Sequence, residues 1–314
     1  DNASSRGLGD VYKRQILALG ACGSAFLNAH NMASHPMLPV RWSGYLLGST
    51  GSLTLYSKDS QHAKKTLRTV FKEIQRLEQK FSLYLADSEI NQLNQHKVLL
   101  NPNSDWLDLL DRIHTIHSQT HGLFDPTIQT LWNVHKNSKT QDLPLESLSK
   151  IGWHQIHYSK SEIRILNKDC EISLNGIAQG YITDKATDIL KNEGFQNALV
   201  ELGETKALGQ HPKQRPFQIG IQKPKNETIE KTIELNNQAI ATSSSFGSYL
   251  LENEQLGHII NPTTGKTVSK EKTISVIADS ATTADALSTA LILFNDDKIK
   301  TFKSKHPYYN IIAT

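Results

Sequence analysis

Leu174-Asn-Gly-Ile-Ala-Gln-Gly-Tyr-Ile-Thr-Asp184 sets two glycines, Gly176 and Gly180, four residues apart. They lie between a strand-like run, Glu171 to Leu174, and a helix-like run that continues to Leu190. A chain that leaves a strand through glycine and enters a helix brings backbone N–H groups close to whatever binds there, and an anion is favoured. The same spacing also serves a plainer purpose, glycines that let a strand pack on a helix.

The pattern on either side sets the fold class. Upstream, Gly51 to Tyr56 alternates as a half-buried strand. Asp59 or Ser60 stands ready to cap a helix in which Ala63, Leu67, Val70, Phe71, Ile74, Leu77 and Phe81 recur at spacings of three and four. A short helix is expected behind Asp87 or Ser88. A longer one runs from Ser104 to Thr120, with Trp106, Leu109, Leu110, Ile113 and Ile116 on one face and Gly122 as a left-handed C-terminal cap. From Trp153 the pattern changes to short strands, Gln155 to Tyr158, Ile163 to Leu166 and Glu171 to Leu174. Further strands are read at Ala198 to Glu201, Phe217 to Ile221, Thr232 to Leu235, Gly257 to Ile260 and Thr273 to Ala278. The last strong helix is Ser280 to Phe294, and Tyr309 to Ala313 is expected at a sheet edge. Strands in runs, with helices between the groups and no steady strand–helix alternation, predict an α+β fold.

With 314 residues, 38% hydrophobic and 21% charged, the chain has the composition of a soluble globular protein with a sizeable core. Its 34 basic and 31 acidic residues leave a formal charge of +3 with no long basic block, so nothing calls for nucleic acid. Lys64, Lys65 and Lys72 interleave with apolar positions and read as a solvated helix face. The two cysteines have no metal-type spacing, which gives no support to a structural zinc, and Cys170 reads as a buried, unreactive thiol. Asp10-Val-Tyr-Lys-Arg-Gln15 resembles the translation of a transposase sequencing adaptor, so residues 1–15 are set aside as non-native. Ile16 to Cys22 is an apolar segment too short to span a bilayer. It ends in Leu19-Gly20-Ala21-Cys22, which resembles a lipoprotein signal box whose cysteine carries the lipid, and a polar linker, Asn28 to Pro39, follows as a tether would. The expected division is therefore a foreign segment 1–15, a signal remnant and linker 16–40, and one large catalytic domain 41–314.

Four places carry chemistry-bearing side chains. Asp285 and Thr289 lie one helical turn apart on one face, a carboxylate and a hydroxyl suited to a magnesium ion that shares phosphate oxygens. Service to the helix dipole and to the helix's own backbone is the alternative. Asp125, held extended before Pro126, is either a turn-forming aspartate or a ligand contact. His258, ahead of Ile259-Ile-Asn-Pro-Thr-Thr-Gly265, is well placed for proton transfer, although most of the 13 histidines must be surface residues. Thr242 to Ser245 is a hydroxyl cluster open to phosphate contacts or to turn bonding.

Eight collinear blocks between about Leu46 and Phe294 resemble the FAD:protein FMN transferase family, the ApbE-type flavin transferases. They are Gly48-Ser49; F-S-L-Y-L-A-D-S-E-I-N-Q-L-N from Phe81; G-L-F-D-P-T from Gly122; the stretch quoted first; L-V-E-L-G-E from Leu199; A-I-A-T-S-S from Ala239; G-H-I-I-N-P-T-T-G from Gly257; and S-A-T-T-A-D-A-L-S-T-A-L from Ser280. The resemblance implies an ApbE-like, T-fold-like architecture of mixed sheets with flanking helices. It implies magnesium-dependent transfer of FMN from FAD onto a threonine or serine hydroxyl of an acceptor flavoprotein, with release of AMP. It further implies Asp285, the Thr289 hydroxyl and the Gly176 carbonyl as metal ligands and His258 as candidate base. Leu47, Ser49, Tyr84, Leu123, Phe124, Asp125, Ser173, Gln179 and Ile260 are the implied FAD contacts. The chain departs from the usual pattern at Ser173 for aspartate, Gln179 for lysine, Asn261 for aspartate, Glu204 for a frequent second glycine and Leu47 for methionine. An FAD pyrophosphatase and a flavin-carrying lipoprotein are the competing expectations. Lipidation of Cys22 places the protein in the bacterial periplasm, held at the inner membrane.

Overall fold

The computed structural model describes residues 37–46, 49–138, 145–222, 228–245, 249–251, 256–268 and 272–314. The adaptor-like segment, Cys22 and Leu47 lie outside the described residues. The chain opens with β1 (Leu38–Leu46), β2 (Ser49–Ser57), α1 (Ser60–Phe81), α2 (Glu89–His96), β3 (Val98–Leu100) and α3 (Ser104–Gln119). Next come α4 (Gln129–Ser138), α5 (Leu145–Leu148), β4 (Ile156–Tyr158), β5 (Glu162–Ile165), α6 (Ala178–Asn192), β6 (Ala198–Glu201) and β7 (Thr205–Leu208). The last third holds β8 (Phe217–Gln222), β9 (Ile229–Leu235), β10 (Ala239–Ser244), β11 (Tyr249–Leu251) and β12 (Leu256–Gly257). It closes with β13 (Thr273–Ala278), α7 (Ala281–Leu291), α8 (Asp296–Lys305) and β14 (Asn310–Ala313).

A seven-stranded sheet in the order β1-β2-β6-β7-β10-β13-β14 is the frame, and its pairings are antiparallel. Side chains alternate across it with the period of two that a strand imposes. Ala198, Val200, Ala241, Val276 and Ala278 join the main core under α1, α3, α6 and α7. Their neighbours Leu199, Ile240 and Ile277 face the opposite way, into a second cluster closed by Phe217, Ile219 and Ile233 of the β8–β9 hairpin. Helices therefore cover one face and a hairpin the other. The α+β expectation of sheets combined with flanking helices matches this architecture, and the sheets are antiparallel.

Helix starts follow local chemistry. Asp59 accepts the Gln61 and His62 N–H groups at 2.9 and 3.0 Å to begin α1, and Ser88 accepts the Asn91 N–H to begin α2. The apolar stripe of α3, Trp106, Leu109, Leu110, Ile113 and Ile116, is buried as its spacing predicts. Each fully buried leucine or isoleucine in it stabilises by about 1.5–3 kcal/mol.

Four boundaries differ from expectation. Glu171 to Leu174 is not a strand and pairs with none among the described residues. Side chains and turns take the partner's role: Asn94 bonds both the N–H and the carbonyl of Ile172, Thr130 accepts the Glu171 N–H, and the Pro126 carbonyl accepts the Ser173 N–H. Strand β1 begins at Leu38, within the segment read as linker, and Pro39 is tolerated because β1 is an edge strand. At the end of α3 both His121, at φ +53, and Gly122, at φ +82, are left-handed, so the expected glycine shares the turn with the residue before it. The N–H of Gly122 bonds the His117 carbonyl and that of His121 the Ser118 carbonyl, so the helix closes in a Schellman arrangement. The run Gly257 to Ile260 divides into the short β12 and a single bridge from Ile260 to Thr267.

Candidate active site

Helices α6 and α7 cross in opposite directions at three points spaced one helical turn apart. Just before α6, a Cβ built on Gly176 would lie 3.0 Å from Thr289 Cγ2 and 3.1 Å from its Oγ1. A Cβ on Gly180 would lie 2.3 Å from the Ala281 carbonyl oxygen and 2.8 Å from Asp285 Cβ, closer than any real side chain tolerates. One turn further on, Asp184 receives the N-terminus of α7. Its carboxylate accepts the Ala281 and Thr282 N–H groups at 2.9 Å, the Ser280 hydroxyl at 2.7 Å, the Thr282 hydroxyl at 2.6 Å and the Lys206 ammonium at 2.6 Å. The two glycines thus let a helix lie against a helix, and that same close approach assembles Gly176, Asp285 and Thr289.

Electrostatics differ sharply along this crossing. Burial pushes the Asp184 carboxyl up, but Lys206 and the hydroxyl donors outweigh it and hold the group below the usual aspartate range. Asp285 is 5% exposed, and among the described residues the donor to its carboxylate is the Gly180 N–H at 3.0 Å. Burial pushes Asp285 up to about 7, and the charge of Asp184 adds to the effect while the Gly180 N–H opposes it. Glu204, 4% exposed, is driven well above the usual range by burial and then by the charge of Asp285. Its Oε2 has no hydrogen-bond partner.

Hydroxyls from β10 line the other side. Ser243 Oγ lies 2.7 Å from Ser288 Oγ and 3.5 Å from Thr289 Oγ1, so the predicted hydroxyl cluster does face α7. Thr242 pairs with Ser275 and Ser245 braces the backbone of Lys272, which leaves Ser243 as the member nearest Thr289.

The residues expected to touch a flavin nucleotide fall into two groups. Tyr84, half exposed, and Gln179 line one pocket with Glu78, Phe81, Asn175 and Ile182, between the end of α1 and the first turn of α6. Asn175 Nδ2 donates to the Tyr84 hydroxyl at 3.5 Å and its N–H to Ser173 Oγ at 3.3 Å, so Ser173 adjoins this group. The Leu123–Asp125 loop reaches the same region through the Pro126 to Ser173 bond. Asp125 itself turns inward: its Oδ1 accepts the Thr127 N–H and hydroxyl at 2.9 and 2.6 Å and caps a short 3-10 helix, Pro126–Ile128. Phe124 is buried and its carbonyl lies 2.9 Å from His117 Nδ1. The Ile260 side chain is buried with Leu131 and Ile151, leaving its backbone as the part a ligand can meet. Ser49 opens β2, opposite Leu46.

His258 immediately follows β12 and is partly buried. A Cβ on its neighbour Gly257 would lie 3.5 Å from the Ser245 carbonyl oxygen, which puts the histidine segment against the end of β10, two residues beyond Ser243. Asn261 then organises the Pro-Gly turn, its Oδ1 accepting the Thr263 N–H at 2.9 Å and its carbonyl the Gly265 N–H at 2.7 Å. The turn is fastened from outside, with His135 Nε2 lying 2.8 Å from the Gly265 carbonyl oxygen.

A hard divalent cation fits this set of donors. Asp285, Thr289 and the Gly176 peptide are oxygen donors brought together in a buried place where carboxylate charge is under-compensated. Among the described residues there is no cluster of three or more histidine, cysteine or acidic side chains. Cys170 is fully buried, and desolvation lifts its thiol to about 12, as the inert reading requires. Sequence reading missed the roles of Asp184 and Lys206. The signal was present: Asp184 continues the Gly176, Gly180 spacing by another four residues.

The chain's likeness to known proteins runs through all of these elements. Residues 47–312 match the profile of the ApbE family. A protein of Haemophilus influenzae named FAD:protein FMN transferase is 28% identical, over 88% of this chain and 87% of that protein. One of Chlamydia trachomatis with the same name is 30% identical over 75% of this chain and 77% of its own. The crystal structure of an ApbE protein from Thermotoga maritima superposes with a TM-score of 0.77 at 23% identity, covering 88% of this chain and 94% of that one. With its profile match spanning nearly every described residue and its sheet and helices in the same arrangement, the chain belongs to the ApbE family.

Proposed function

We propose that this protein is a magnesium-dependent FAD:protein FMN transferase, moving FMN from FAD to a threonine or serine hydroxyl of an acceptor flavoprotein and releasing AMP. The observation that carries the reading is the convergence of Gly176, Asp285 and Thr289 at the α6–α7 crossing. A magnesium ion held by these three would neutralise charge on the FAD pyrophosphate and on the departing AMP. Tyr84 and Gln179 line the pocket beside it and orient the nucleotide. The acceptor oxygen forms a new bond to the phosphorus on the FMN side as the bridging P–O bond to AMP breaks. His258 takes the proton released by the acceptor hydroxyl. Burial of Asp285 and Ser288 keeps bulk water from the reacting phosphate, which favours a protein hydroxyl over hydrolysis.

Incubation with FAD, magnesium and a candidate acceptor tests the reading. AMP together with flavin fluorescence on the acceptor in a denaturing gel is expected. AMP with free FMN would make the protein a pyrophosphatase, and bound, intact FAD would make it a carrier. We also propose a lipid anchor on Cys22 and a periplasmic site of action, from the Leu19-Gly-Ala-Cys22 sequence. No helix among the described residues is long and apolar enough to cross a membrane. An unchanged mass of the expressed protein when lipoprotein signal processing is inhibited would remove the anchor.

A further inference from the structure

Glu204 is a carboxylate that the three-ligand description does not use. It stands in the turn from β6 to β7, where the resembled pattern commonly has glycine, and it is 4% exposed. Two contacts fix its position. On one side, Gly203 at φ +97 brings the turn against α6: a Cβ there would lie 2.7 Å from Gln179 Cδ, and the next residue, Gly180, holds Asp285 through its N–H. On the other side the Thr242 N–H donates to the Glu204 carboxylate, and the following residue, Ser243, meets Ser288 and Thr289. Glu204 is thus boxed between α6, whose Gly180 N–H holds Asp285, and β10, whose Ser243 meets Thr289; the charge of Asp285 acts on it, and its Oε2 is buried without a partner. Buried acids are ordinarily paired with a cation or fully hydrogen-bonded, because an uncompensated one is costly. Among the described residues the neighbouring ammonium, Lys206, is already committed to Asp184 at 2.6 Å.

We propose that Glu204 is a second carboxylate of the divalent-cation site, acting with Asp285 to hold the ion on the protein before FAD binds. The inference rests on the cation site assigned under Proposed function. Adding an anionic oxygen raises affinity for a hard cation, and here it changes the order of events. A site with one carboxylate, one hydroxyl and one carbonyl depends on substrate phosphate for retention of the ion, whereas a site with two carboxylates loads without substrate.

The test is direct binding of manganese ion, by electron paramagnetic resonance of the free ion and by calorimetry with FAD absent, on the wild type, E204Q, E204M and D285N. Thermal melting with and without the ion accompanies each titration. E204Q and E204M are expected to weaken manganese binding by about ten- to a hundredfold. E204M should also raise the melting temperature of the ion-free protein, since a buried acid with an unpartnered oxygen gives way to an apolar side chain, and both variants should shrink the ion-induced rise. A cooperative melt at or above the wild-type temperature shows that the loss of binding is not misfolding. If D285N loses the ion while both Glu204 variants bind like the wild type, the cation site stands and Glu204 has no part in it. If D285N itself binds like the wild type, the assigned site fails, and this inference fails with it.

Discussion

The two ends of the α6–α7 crossing have the same ingredients and opposite character. At the Asp184 end, a buried carboxylate is met by a lysine, two hydroxyls and two backbone N–H groups. One turn away, Asp285 is more deeply buried and is met by the Gly180 N–H, with the charge of Asp184 acting against its ionisation. The first end is a joint, and the second is where the proposed cation would be held. A helix pair can hold an uncompensated carboxylate at one contact because the adjacent contact over-determines the geometry.

Substitutions can set the two ends against each other. The largest effect is expected from Asp285→Asn, which should cut magnesium-dependent flavin transfer by at least about a thousandfold, roughly 4 kcal/mol of barrier. Its unfolding free energy should be unchanged or higher, and transfer near the wild-type rate would remove Asp285 from the site. Asp184→Ala is predicted to do the reverse. It strands the Lys206 charge and uncaps α7, so chemical denaturation should show a loss of about 3 kcal/mol. A stability equal to the wild type would contradict the joint.

Gly180→Ala probes the glycine that both ends share. Its methyl group meets the Ala281 carbonyl, a backbone atom that cannot step aside, so a loss of about 2 kcal/mol is expected together with weaker cation binding. Normal cation binding in a stable Gly180→Ala protein would show that the ligand set does not depend on the close approach. The smallest effect is in the pH dependence of stability without added cation. Asp285 is raised in the folded state, so its contribution is fully present below the ordinary aspartate value of 3.8 and declines as pH rises to about 7. Asp184 is lowered, so its contribution is present above the ordinary value and is lost as pH falls through the depressed one. Denaturation curves of Asp285→Asn should show a smaller decline between about pH 4 and 7, the part due to buried Glu204 remaining, and those of Asp184→Asn should lack the acid loss; identical profiles in all three proteins would refute both assignments.

Much of the molecule was legible from spacing alone. The stripes of α1 and α3 are set by which residues repeat at 3.6, and their members are buried as read except the half-buried Phe71. Caps were legible where one side chain meets its own backbone, as at Asp59 and Ser88. Glu171 to Leu174 was misassigned because its backbone partners are the side chains of Asn94 and Thr130, at sequence distances that no local pattern records. Asp125 was correctly placed on a loop, but its inward turn toward Thr127 depends on the packing around His117 and Gly152.

By itself the sequence determined most element types, the collinear motifs and the candidate oxygen donors Asp285 and Thr289, because these follow from residue chemistry and helical period. Tertiary structure alone decided that the two glycines serve a helix crossing, that a lysine compensates Asp184 while Asp285 is met by the Gly180 N–H, and that the charge of Asp285 acts on Glu204. Charge compensation depends on what lies across a few ångströms of space, and residues 184, 204 and 285 become neighbours only when α6, the β6–β7 turn and α7 have packed on one sheet.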